Sequence, residues 1–237
     1  MSVYVYSITA AAHPRNLGGL VGVGPAPAAL RTVEAGPLCA VVSDSPKELR
    51  PKRRDLLAHQ GVQERLMTDG TVLPLRFGLT APDDETVRAA LEQHRDEYVQ
   101  RLTALEGCVE YHLKAAVAED VILRQVLLES SEASALNNEI KAGTSSPELP
   151  LALGELVARE VQARHQALAA SIAEALSPHT RQQRTSEPAG DDFLSVSFLV
   201  DHGHQESFLT AEKGITNEFG ADVNLRLSGP LPPYSFV

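Results

Sequence analysis

Positive charge is scarce in this chain. Its 21 lysines and arginines face 31 aspartates and glutamates, a formal net charge of −10, and a surface so poor in cations cannot release the counterions that drive binding to phosphate backbones. Nucleic acid is therefore not an expected partner. Cysteine is scarcer still. Cys39 and Cys108 are the whole complement, too few and too far apart for a disulfide-stapled secreted scaffold, and they read as two buried thiols in a reducing compartment. No uncharged apolar run approaches the ~20 residues that cross a bilayer, and Met1 to Ala10 lacks the basic flank of a secretory signal. A cytoplasmic location, off the membrane, is the expectation.

Chemical signatures are equally thin. There is no G-x-S-x-G elbow, and no serine or cysteine has a legible histidine and carboxylate beside it. Gly18, Gly19, Gly22 and Gly24 resemble a phosphate-cradling loop, but the third glycine of G-x-G-x-x-G would fall at Pro27, and no Walker Lys-Ser or Lys-Thr follows. Asp201, His202, His204 and Glu206 are metal-ligand types close in sequence. They lie in a polar turn after a strand with no distant partner set, so solvation is the better reading. The expectation is no enzyme, no cofactor and no metal.

What the chain does have is core. A hydrophobic fraction of 43% and a charged fraction of 22% are those of an ordinary globular protein, and 237 residues exceed the usual size of one domain. Val3, Val5 and Ile8 open a strand, and a Gly/Pro-rich stretch from Gly18 to Pro27 separates it from a second apolar run, Leu38 to Val42. Ala58, Val62 and Leu66 recur every fourth residue and predict a helix ending near Asp69-Gly70. Thr71 to Phe77 reads as an edge strand because Pro74 cannot donate to a ladder. Asp83 and Asp84 then start a helix whose buried stripe runs Val87, Leu91, His94, Tyr98, Leu102 and Leu105.

From Val109 to Val117 the period changes from 3.6 to 2, predicting a half-buried strand. A helix over Glu119 to Glu129 follows, then a Ser-, Asn-, Gly- and Pro-rich stretch from 130 to 150 that reads as a mobile insertion. Leu153 to Leu176 traces a long helix ended by Pro178. Thr180 to Ser186 is a weak strand, Phe193 to Val200 a strong one, Phe208 to Phe219 a helix ended by Gly220, and Val223 to Leu227 a last alternating strand. The order from Val109 onward is that of a split βαβ, or ferredoxin-like, domain. The expected architecture is α+β in two domains: residues 1–105, a ferredoxin-like 106–228 carrying the insertion, and a Pro-rich extended tail, 229–237.

Four features stand outside that scheme. Arg50, Lys52, Arg53 and Arg54 form a basic run in an acidic chain, either the solvated start of a helix or a contact for an acidic partner surface. Asp55 and His59 lie four apart on one helix face, as an exposed pair would. Leu73-Pro74-Leu75-Arg76-Phe77-Gly78 sets a guanidinium among apolar neighbours, where burial would demand an ion pair. Finally, Gly229-Pro230-Leu231-Pro232-Pro233-Tyr234-Ser235-Phe236-Val237 is stiffened by prolines and rich in apolar groups, which pack inward or dock elsewhere.

Val72-Leu73-Pro74-Leu75-Arg76-Phe77-Gly78, Glu110 just after Leu105-Glu106-Gly107, the terminal Ser228-Gly229-Pro230-Leu231-Pro232-Pro233-Tyr234-Ser235-Phe236 and the opening Tyr4-Val5-Tyr6-Ser7-Ile8, in that arrangement, resemble the recurrent motifs of the gas vesicle GvpF/GvpL proteins. The resemblance spans nearly the whole chain and departs mainly between 130 and 150. It implies two α+β domains, the second a modified ferredoxin-like fold. It also implies an accessory or minor structural role in gas vesicle assembly, in contact with the hydrophobic subunit of the wall, and no catalytic residue or cofactor. Leu73, Pro74, Arg76, Phe77 and Gly78, with Gly229 to Tyr234 and Phe236, are then the candidate partner-binding residues. An adaptor binding other gas vesicle accessory proteins and a metal-binding enzyme on a ferredoxin-like fold are the rival readings, and the choice between F-like and L-like identity stays open.

Overall fold

The computed structural model describes residues 2–26, 28–143, 146–220 and 222–237. It forms two compact units: residues 1–111 with 199–202 and 229–237, and residues 112–198 with 203–228.

The first unit is organised about β1 (Val3–Ala10), whose residues from Val3 to Thr9 are all buried. Antiparallel neighbours flank it: β3 (Leu38–Asp44) on one side, and β4 (Val72–Pro74) and β5 (Thr80–Ala81) along the other. β2 (Arg31–Ala35) completes the sheet outside β3 through a two-residue turn at Gly36-Pro37. The register of β1 against β3 slips between Val5 and Ser7, and a bulge of this kind reverses which face later residues occupy. Val3, Val5 and Ile8 accordingly share one apolar cluster with Val87, Leu91, Leu102 and Leu105. Tyr4 and Tyr6 belong to another with Val62 and Leu66, and Ser7 turns to the same side to meet Gln63.

Helix α1 (Arg53–Asp69) supplies that second cluster. The stripe predicted from Val87 to Leu105 is divided at His94 into α2 (Asp84–Gln93) and α3 (Arg95–Ala104). Asp96 and Glu97 provide an acidic first turn for a fresh helix, and Glu97 lies 3.2 Å from the His94 ring, both features of a helix start rather than an interior. Asp83 caps α2 as expected, accepting from the Thr86 N–H at 2.8 Å.

β6 (Cys108–Val117) leads into the second unit, where α4 (Glu119–Glu129), α5 (Ser131–Lys141) and α6 (Glu148–Leu176) pack together through Val126, Ala133 and Leu156. Much of the stretch read as a mobile insertion is thus helical. The Ser130 side chain caps α5 by accepting from the Ala133 N–H, and Ala133 and Leu136 face the cluster; Thr144 and Ser145 lie outside the described residues. β7 (Gln182–Thr185), β8 (Asp192–Asp201), α7 (Gln205–Phe219) and β9 (Val223–Leu231) follow, and the second sheet has the order β7-β8-β6-β9. β7 is exposed throughout, and its Gln-Gln-Arg-Thr sequence suits an edge that must not recruit another strand. β8 is buried from Leu194 to Val200, and Phe198 meets Phe208 of α7 with ring centroids 5.5 Å apart.

Cys39 and Cys108 are both buried and not joined in a disulfide. No described helix is long and apolar enough to cross a membrane.

Phe208 is fully buried, so Phe208→Ala should destabilise the protein by ~3–5 kcal/mol through lost transfer energy and a residual cavity. The check is a lowered urea midpoint with an unchanged denaturant slope.

Candidate functional site

Three polar residues on α1, Asp55, His59 and Gln63, recur every fourth position and are all buried. Buried polar groups demand partners, and these three have them. Asp55 accepts from the Gly24 N–H at 2.9 Å and pairs with Arg54 at 3.1 Å. Gln63 accepts from Ser7 Oγ and donates to the Tyr6 carbonyl. The expected exposed Asp55–His59 pair is replaced by two separate buried anchors, because the face they share is turned toward β1.

His59 holds the centre. Its Nε2 is 3.0 Å from the Leu75 carbonyl oxygen, and its Nδ1 is 2.9 Å from Tyr4 Oη. A carbonyl only accepts, so Nε2 carries the proton and Nδ1 accepts from the tyrosine hydroxyl. Tyr4 Oη in turn accepts the Gly78 N–H at 3.2 Å. The segment between β4 and β5 is therefore fastened at Leu75 through His59 and at Gly78 through Tyr4. Further bonds hold its flanks: Leu75 N–H to the Tyr6 carbonyl, and Val5 N–H to the Leu79 carbonyl, each 3.0 Å. Phe77 packs within 6 Å of both rings, at 5.9 Å from Tyr4 and 5.8 Å from His59. Gly78 has φ +100°, a backbone that side chains oppose.

The same centre receives the chain's last residues. Tyr234 Oη lies 3.5 Å from His59 Nε2. The buried Glu110 carboxylate accepts from the Ser235 N–H at 2.8 Å and from Ser235 Oγ at 2.6 Å. Pro232, Pro233 and Phe236 are buried, Phe236 among Val3, Leu73 and Leu105. Gly229 admits no side chain, since a Cβ there would stand 2.5 Å from Tyr111 Cδ1 at φ +147°. The closing segment is divided between the end of β9, through Leu231, and a 3-10 turn over Tyr234–Phe236, rather than extended throughout.

The structure thus brings Phe77, Gly78 and Tyr234 about the Tyr4–His59 pair, sets Pro74 opposite Ser7 in the sheet, and places Leu73 with Phe236 in the adjoining core. Arg76 departs from expectation: it is exposed and forms no ion pair with a described residue. Its backbone lies in the loop that is pinned on either side of it, and the side chain points away from the packed groups. Gln63 is the residue that sequence reasoning misses, although its four-residue spacing from His59 continues the stripe begun by Asp55.

Among the described residues no three His, Cys, Asp or Glu side chains gather as a metal ion would require. His202 to His204 form a 3-10 turn, and the His202 N–H is spent on the Gly107 carbonyl at 2.8 Å.

A family model described as "Gas vesicle synthesis protein GvpL/GvpF" matches residues 2–237. The chain belongs to the GvpL/GvpF family. It is 40% identical to gas vesicle protein F of Streptomyces sp. (strain CB03234) over the full length of both chains, and 29% identical to gas vesicle protein L of the same organism over 99% of this chain and 92% of that one. Its fold is that of the crystal structure of GvpF from Anabaena sp. PCC7120, with a TM-score of 0.87 at 21% identity over 99% and 97% of the two chains. GvpF from Microcystis aeruginosa superposes with a TM-score of 0.82 at 22% identity, over 99% and 98%. The GvpL/GvpF family is named for gas vesicles and not for a reaction, and this member is accordingly a gas vesicle protein of mixed helix and sheet with two antiparallel sheets.

Two outcomes test the centre. Tyr4→Phe removes the hydroxyl that joins Gly78 to His59 and should cost ~1–3 kcal/mol, the penalty for leaving buried groups unpartnered, measured as a loss of urea stability. Burial also lowers the His59 pKa below its ordinary 6.5, as it does for His13 and His165. The unfolded chain then takes up protons first as pH falls, so stability should be full above about pH 6.5 and decline below it, down to the depressed folded-state values. Urea midpoints compared at about pH 7.5 and about pH 5.5 should differ in the parent and differ less in His59→Gln.

Proposed function

We propose that this chain is an accessory or minor structural protein that binds the hydrophobic subunit of the gas vesicle wall and supports assembly of the vesicle, working from the cytoplasm. The observation that carries the reading is the Leu75–Gly78 loop. Its backbone is fastened through His59 and Tyr4, while Arg76 and the 47% exposed Leu79 face solvent beside it. A rigid backing under an exposed cation and an exposed aliphatic group favours recognition of another protein, because little ordering entropy remains to be lost on contact. Nothing about the centre calls for a reacting group: the His59 ring is spent on holding the loop.

A wall subunit hides its apolar surface only once it has polymerised, so a partner that covers that surface beforehand would suppress aggregation. The second unit fits the same reading as a modified ferredoxin-like module. Its strand order β9-β6-β8-β7, with helices between β6 and β7 and between β8 and β9, is that of a split βαβ with added helices.

The test is binding of the purified full-length protein to freshly solubilised wall subunit. Removing residues 229–237 is a poor probe, since it would strip Glu110 of Ser235. The comparison is therefore with Arg76→Ala and Leu79→Ser, each expected to weaken binding by roughly tenfold, as contact residues do, with an unchanged circular dichroism melt. No saturable binding by the folded parent would leave the adaptor reading in its place.

A further inference from the structure

Beside the pinned loop lies an open groove of about 640 Å³ of mixed lining: Pro46, Leu49, Pro51 and Phe77 give it an apolar portion, and Ser2, Ser45, Lys47 and Thr80 a polar one, with Gly78 at its edge. Its surroundings are cationic to a degree the rest of the chain is not. Lys47, Arg50, Lys52, Arg53, Arg54 and Arg76 are all exposed. Two of the six are engaged, Arg50 with Glu48 and Arg54 with Asp55. Lys47, Lys52, Arg53 and Arg76 form no ion pair with a described residue.

This grouping is not explained by folding. Lys52, Arg53 and Arg54 stand at the start of α1, where the helix dipole disfavours cations, and no side chain caps that end. Nor does solubility require it, since a chain at −10 is already far from neutrality. Leu56 and Leu57, 41% and 56% exposed on the first turns of the same helix, add apolar surface next to the charge.

From these observations we propose that the groove is a docking site for an acidic segment of a partner protein that carries an apolar side chain. The apolar residue would lie over Pro46, Leu49, Pro51 and Phe77, and the flanking carboxylates would meet Lys47, Lys52, Arg53 and Arg76. Charge complementarity fixes the sign of the partner. The overall field opposes any anion, so the choice rests on Pro46, Leu49, Pro51 and Phe77, which give an apolar peptide side chain a contact that a phosphate backbone does not offer. The inference deepens the partner-binding reading above and rests on it for the nature of the partner, though not for its identity.

The experiment measures fluorescence anisotropy of three labelled probes with the full-length protein: a peptide of Glu and Asp with a central Leu-Phe pair, the same peptide with Lys for every acid, and a single-stranded oligonucleotide of matching charge. The acidic peptide is expected to bind saturably. It should weaken on going from about 50 to about 200 mM salt, and lose at least ~10-fold in affinity in the triple variant Lys52→Glu, Arg53→Glu, Arg76→Glu. Lys213→Glu, a charge reversal on exposed α7 surface, should leave binding unchanged, and replacing Leu-Phe by Ser-Ser in the probe should weaken it. Because the three reversed residues are exposed, the variant's melt should match the parent's; should it not, Arg76→Glu alone carries the comparison. Equal binding by parent and reversed protein, equal binding of the basic peptide, or preference for the oligonucleotide overturns the proposal. Acidic-peptide binding without wall-subunit binding would leave the groove standing and redirect the search for its partner, so the two readings fail separately.

Discussion

A neutral imidazole has one proton to give and one lone pair to receive with, and His59 commits both: it donates to the Leu75 carbonyl and accepts from Tyr4. Protonation would force a second donor against a hydroxyl that already holds the Gly78 N–H, and would place a charge among Tyr4, Tyr6 and Phe77. The loop, the β1 tyrosines and the last residues of the chain all lean on a ring that must remain uncharged. Burial supplies that condition, and burial also pushes the Tyr4 phenol upward and holds Tyr234 at about 12. Burial thus favours the neutral imidazole and the protonated phenols, the forms in which these groups make the hydrogen bonds that hold the loop.

Much of the fold was legible because its signals are local. Glu119–Glu129 matches its helix at both ends, Gly220 closes α7 at φ +60°, and the alternation from Val109 identifies β6. What escaped reading was set by tertiary context. β2 pairs with β3 along its whole length but buries only Val33 and Ala35, and its other residues are polar or charged, so it is too short and mixed for a periodic signal. β5 is two residues long and exists because β1 offers a free edge. α5 lies in a stretch whose composition speaks for a loop, and it folds because Ser130 caps it and Ala133 finds a buried place among helices.

The candidate centre was legible in its motifs but not in its wiring. Pro74, Phe77, Gly78, Gly229 and Tyr234 could be picked out by type and order. That they meet through α1 could not, because one bulge in β1 decides which side Ser7 faces and so whether Gln63 has a partner. Asp55 and His59 read as a surface pair for the same reason: spacing tells that two residues share a face, not whether the face is wet. Arg76 erred in the opposite direction. Apolar neighbours suggested burial, yet the strand is interrupted at that point and the side chain is turned outward.

The first unit is assembled from three separated lengths of chain, and the bond from Ser235 to Glu110 joins residues 125 apart. On a ribosome that separation is time. Glu110 and the apolar bed awaiting Phe236 are synthesised well before the residues that cover them, so this unit cannot close while the intervening chain is still being made. The delay adds little in loop entropy, which grows only with the logarithm of length, but it leaves a carboxylate and an apolar surface open during synthesis. Without residues 229–237 the Glu110 carboxylate would lose both Ser235 donors and the cluster of Val3, Leu73 and Leu105 would lose Phe236, so the first unit is held closed by residues made after the whole of the second.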